Sequence, residues 1–118
     1  MILARVRMMI PRRSHDGALK ILKSMAERNR VHLGCISCRV YKDVEEDTAI
    51  VYEEIWRTAE DLESHLRSEG YNKLLLVMEM ALQSPEVSFD TISRSSGMEV
   101  IEKVRKSGSL AESNVKWE

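Results

Sequence analysis

The spacing of apolar residues in this chain switches between a period of two and a period of about 3.6, and the order of the switches restricts the fold. In MILARVRMMI, Ile2, Ala4, Val6, Met8 and Ile10 point one way and Leu3, Arg5, Arg7 and Met9 the other. That is a strand with one apolar and one mixed face, ended by Pro11, which lacks the ladder donor. From Ser14, an N-cap candidate, the period becomes helical to about Asn29. Ala18, Leu22 and Met25, with Leu19, Ile21 and Ala26, form the apolar stripe, and Lys20, Lys23, Glu27 and Arg28 take the wet side. Strands follow over 35–42 and 49–56, joined by the charged turn KDVEEDT into a hairpin. Thr58, with Asp61 three residues on, resembles a capping box for a helix from Ala59 to about Arg67. Ser68 is expected to cap a second helical piece running through LLLVMEMAL, read as a buried helix. A fourth strand over 86–93 puts Val87, Phe89 and Thr91 on one face.

The order β-α-β-β-α-β predicts an α+β, ferredoxin-like domain: a four-stranded antiparallel sheet with its helices on one face. Leu3 and Met9 on the first strand, and Val51 and Ile55 on the third, leave apolar residues on the other face as well. That face predicts a homodimer, sheet against sheet. The domain is expected over 1–96, with 97–118 as a C-terminal extension. In that extension Met98, Ile101 and Val104 fit a helix, while Met98, Val100 and the β-branched content fit a strand equally well. After Lys106 the composition can bury little, so this end is expected to be mobile unless a partner subunit holds Trp117.

A length of 118 residues suits one domain with a real core. A net charge of -1 argues against a nucleic-acid partner. The cluster Arg5, Arg7, Arg12, Arg13 reads as a solvated strand edge, with contact to an anionic ligand as the alternative. Arg5 and Arg7 interrupt the first apolar run, and LLLVMEMAL is too short for a bilayer, so neither a signal peptide nor a membrane partner is expected. Two cysteines suggest the reducing cytoplasm.

CISC does not read as a redox or zinc motif. Cys35 and Cys38 fall on a strand, where residues three apart face opposite sides, and no further zinc ligands stand at a recognisable spacing. No glycine-rich phosphate loop and no HEXXH or GXSXG pattern is present. The remaining chemistry-bearing residues are Tyr52, Glu54 and Trp56 on one face of the third strand, and His65 on the helix after it. A tryptophan body, a phenol, a carboxylate and an imidazole could line one mostly apolar cavity. By periodicity alone, Trp56 is core and His65 a surface helix position.

Glu54-x-Trp56, then His65 within DLESHLRSEGY, preceded by LGCISCRVYKD, resembles the antibiotic biosynthesis monooxygenase family of dimeric α+β barrels. The likeness runs from Ile2 to Ser93. It implies a ferredoxin-like homodimer with a pocket between sheet and helices. Members include cofactor-free oxygenases of quinols and polycyclic aromatics, haem-degrading enzymes and a few isomerases. Trp56 matches the family tryptophan, Glu54 the glutamate before it, and His65 the first helix histidine. Many members carry a second histidine where this chain has Gly70, followed by Tyr71; haem-degrading members place an asparagine on the first strand, where Arg5 and Arg7 stand here. Both departures count against haem.

The function so implied is a monooxygenase that oxidises a small quinol or polycyclic aromatic with O2, using no cofactor and no metal. His65 would be the base and Trp56 the pocket wall, with Tyr52, Glu54, Tyr71, Arg5 and Arg7 contacting substrate. Two other readings stay open: a non-catalytic dimeric module that binds a small ligand or a partner protein, and a haem-binding or haem-degrading protein.

Overall fold

The period-two run at the N-terminus forms β1, Ile2–Met9, and a computed structural model describes the chain over residues 1–107. Trp117 and the rest of the tail's end lie outside the described residues. β2 (Cys35–Lys42) and β3 (Ala49–Trp56) form the expected hairpin, and β4 (Glu86–Thr91) lies on the far side of β1. The order β2-β3-β1-β4, antiparallel throughout, is that of a ferredoxin-like sheet.

α1 (His15–Asn29), α2 (Ala59–Arg67) and α3 (Asn72–Glu79) pack on one face of this sheet, and α4 (Met98–Ser107) follows it. Val6, Met8 and Ile10 meet Ala18, Leu22 and Met25 of α1, Ile50 and Tyr52 of β3, and Leu74 and Val77 of α3 in the main core. Each fully buried aliphatic side chain there contributes about 1.5–3 kcal/mol relative to exposure. A smaller cluster, Ala4, Trp56 and Leu62, closes the end of the sheet under α2.

Thr58 caps α2 as expected: its hydroxyl accepts the Asp61 backbone N–H at 3.1 Å and donates to the Asp61 carboxylate at 2.9 Å. Ser14 precedes α1 but makes no side-chain cap bond. A 3-10 turn over Arg12–Ser14 has already given it near-helical backbone angles, so its hydroxyl is not aimed at the orphan N–H groups. Ser68 likewise does not cap the next helical piece, which starts with a 3-10 turn at Glu69–Tyr71. Its hydroxyl donates back to the His65 carbonyl at 2.6 Å, satisfying one of the last acceptors of α2. LLLVMEMAL is buried on one side only: Leu74 and Val77 face the core, while Leu75 and Leu76 are exposed. Of the two options for 98–107, the chain takes the helix.

The parity expected for the two cysteines is overturned by a β-bulge. Cys35 pairs with Trp56 and Ser37 with Ile55, so Ile36 is an extra residue in β2. One inserted residue reverses the alternation. Cys35 therefore packs against the same core that contains Cys38, on the helix-covered face, and both are free thiols. No helix of the described residues is long and apolar enough to cross a membrane.

Candidate functional site

β3 alternates strictly, so Tyr52, Glu54 and Trp56 all turn toward the helices while Val51, Glu53 and Ile55 turn away. Glu54 is only 2% exposed. A carboxylate so placed is costly unless hydrogen bonds replace its water. Three N–H donors do so here. His65 Nε2 lies 2.6 Å from one oxygen, Asn29 Nδ2 donates to that same oxygen at 3.1 Å, and the Trp56 indole N–H donates to the other at 3.1 Å. Asn29 also reaches the Tyr52 hydroxyl at 2.8 Å, and the Cys38 thiol donates to that hydroxyl at 3.1 Å. Among the described residues no buried side-chain polar atom lacks a partner.

The electrostatics follow from burial. Loss of water, then the Glu54 charge, pushes the Tyr52 phenol far above its ordinary range. Burial first and the same carboxylate second raise Tyr71 and Cys35. Burial drives Cys38 up to about 11, against the lowering pull of its bond to Tyr52. These hydroxyls and thiols stay protonated and neutral at physiological pH and are not nucleophiles.

His65 comes from the inner side of α2, beside Leu62, and is buried, unlike the surface position that periodicity suggested. Its ring stacks on Trp56 with centroids 4.6 Å apart and an interplanar angle of 28°. Tyr71 meets it edge-on at 5.3 Å. Because a carboxylate only accepts, the His65 nitrogen facing Glu54 carries hydrogen, which leaves Nδ1 with the lone pair in the neutral ring. Nδ1 has no protein partner among the described residues, and every fully buried polar side-chain atom has one, so Nδ1 is within reach of solvent.

A groove of about 580 Å³ lies between the C-terminal end of α1 and the α2–α3 pair. Trp56 and His65 form its wall, with Asn29, His32, Gly34, Ser64, Ser68 and Gly70 around it. Gly70, the position of the second histidine in many resembling proteins, is thus at the groove. Gly34 permits a close approach: an added Cβ would lie 2.7 Å from Asp61 Cβ and closer still to its carboxylate.

The structure brings His65, Trp56, Glu54, Tyr52 and Tyr71 together. Trp56 and His65 touch the groove; Tyr52 and Glu54 lie beneath them, and Tyr71 borders the imidazole. Arg5 and Arg7 lie on the opposite sheet face, where Arg5 pairs with Glu53 at 2.8 Å and Arg7 with Asp43 at 3.2 Å. Arg12 pairs with Asp47. These acids account for three of the four clustered arginines. Asn29, which the sequence analysis passed over, is the centre of the buried network. Its signal was a polar residue continuing the stripe of Leu22 and Met25 by one more turn. No group of three or more His, Cys, Asp or Glu among the described residues could hold a metal ion.

Known proteins share this fold. A Deinococcus radiodurans protein described provisionally as an antibiotic biosynthesis monooxygenase superposes with a TM-score of 0.75 at 13% identity, over 83% of this chain and 98% of its own. The Mycobacterium tuberculosis protein Rv0793 gives 0.73 at 21% identity, over 81% of this chain and 98% of its own. A conserved protein of Methanosarcina mazei gives 0.70 at 21% identity, over 75% of this chain and 89% of its own. At such identities the likeness establishes the fold alone. No curated protein matches the sequence. Residues 1–74 match the family described as Antibiotic biosynthesis monooxygenase, more than half of the chain. The chain therefore belongs to the antibiotic biosynthesis monooxygenase family.

Proposed function

We propose that this chain is a cofactor-independent monooxygenase that oxidises a small quinol or hydroxyarene with O2. The observation carrying this reading is His65: one ring nitrogen is held by Glu54 at 2.6 Å, the residue lines the groove, and its ring is stacked on Trp56. Glu54 is a positioning residue. It sets the tautomer and orientation of His65, as a carboxylate does behind a catalytic histidine elsewhere.

In this reading a flat phenolic ring lies against Trp56, and His65 Nδ1 accepts its hydroxyl proton. Triplet oxygen reacts slowly with closed-shell molecules, but a phenolate can donate one electron to it. The resulting radical and superoxide combine at a ring carbon bearing hydrogen. The peroxide O–O bond then breaks as that C–H proton leaves, giving a quinone and water. Phenol plus O2 thus balances quinone plus water, and the substrate supplies all the electrons. The protein binds the ring, holds the base and shields the anion from bulk water.

Oxygen uptake with a panel of hydroquinones and naphthols tests the proposal. The expected result is turnover above the uncatalysed rate, reduced about 100-fold or more in His65→Ala. No uptake above the uncatalysed rate, or unaltered turnover in that variant, overturns it.

Homodimerisation through the open sheet face belongs to the same reading. Leu3, Met9, Val51 and Ile55 are half-buried there, alongside the Arg5–Glu53 and Arg7–Asp43 pairs. Analytical ultracentrifugation should show a dimer, and a monomer at micromolar concentration refutes it. The free thiols of Cys35 and Cys38 fit residence in a reducing cytoplasm. The functional unit is proposed to be residues 1–96.

A further inference from the structure

The groove beside His65 has a charge pattern that the proposed oxidation does not require. Met25, Arg28 and Asn29 of α1 stand at i, i+3 and i+4, so all three face the groove, although the amphipathic pattern of α1 assigned Arg28 to the wet side. Lys73, in the first turn of α3, lines the groove as well. Neither cation makes an ion pair or a side-chain hydrogen bond among the described residues, whereas Arg5, Arg7, Arg12 and Arg67 are all matched with carboxylates. Asp61 is the one acid in the described lining, and its carboxylate is engaged by the Thr58 hydroxyl on the cap of α2. Two unmatched cations therefore share a groove with a stacked indole and imidazole.

We infer that the groove selects a flat hydroxyarene bearing an anionic substituent such as a carboxylate, with Arg28 and Lys73 binding that substituent. This inference rests on the reading of Trp56 and His65 as the ring-binding wall. The two cations take no part in the chemistry; they orient the ring by its acidic end and raise the local concentration of anionic substrate. Arg28 offers a planar fork that matches a carboxylate, and Lys73 a point charge.

Isothermal titration calorimetry with isomeric hydroxynaphthoates and the matching naphthols tests this on the full chain. The expected result is that at least one hydroxynaphthoate binds roughly tenfold tighter than its naphthol, the scale of two partly exposed ion pairs. Raised salt should narrow that preference. Arg28→Gln and Lys73→Gln should each reduce it and the double variant abolish it, with naphthol affinity unchanged and Arg28→Lys or Lys73→Arg restoring part of it. If naphthols bind but no hydroxynaphthoate is preferred, or the preference survives in the double variant, the inference fails while the ring-binding reading stands. If neither class binds, both fail.

Discussion

Glu53 and Glu54 are neighbours on one strand with the same side chain, and they occupy opposite electrostatic worlds. Glu53 faces the open side of the sheet and pairs with Arg5, whose side chain is 46% exposed. Water solvates both partners, so the attraction is weak and screened. Glu54 faces the helices, has lost its water, and is held by N–H groups of His65, Asn29 and Trp56. The lesson is that strand parity separates a surface charge from a buried one that organises a site. Among the described residues, the buried network of Tyr52, Glu54, Trp56 and His65 lies on the second face.

The sharpest attack on that contrast is Glu54→Ala. It strands three buried N–H donors and leaves a void, so urea unfolding should show a loss of about 3–5 kcal/mol. A loss as small as that at Glu53 would mean that the network has no structural weight.

Next in size is Gly34→Ala. Its new Cβ meets Asp61 at the Cβ as well as the carboxylate, so the loop or the start of α2 must shift, at about 1–3 kcal/mol. Thermal unfolding should register that loss together with a weakened α2 cap. An unchanged melting temperature would show that the close approach is unimportant.

Cys38 sharpens the comparison through pH. Its pKa rises from 9.0 to about 11 on folding, so between those values the unfolded chain releases a proton that the folded chain retains. Stability from this thiol is therefore complete below about pH 9 and declines as pH climbs through 11. The decline should reach roughly 2 kcal/mol and be missing in Cys38→Ala, as read from paired urea curves at pH 8 and near 11. Parallel curves for the two proteins would contradict the buried environment of Cys38.

The smallest effect belongs to the open face, where Glu53→Ala should cost no more than about 0.5 kcal/mol and lose that cost in high salt. A larger, salt-insensitive loss that disappears on dilution would reveal Glu53 at a subunit contact.

The sequence by itself determined the element order, the bounds of β2, β3 and α2, and the inward parity of Tyr52, Glu54 and Trp56, because apolar spacing and the Thr58 cap act over a few residues. Tertiary structure alone decided what those side chains meet. Asn29 reaches Glu54 only because the end of α1 packs onto the sheet, and His65 is buried only because α2 lies over Trp56. The bulge at Ile36, which brings Cys35 to the face of Cys38, is likewise set by pairing with β3 and leaves no periodic trace. Local spacing assigns each residue a direction; only the packing of distant segments assigns it a partner, and the proposed chemistry depends on partners.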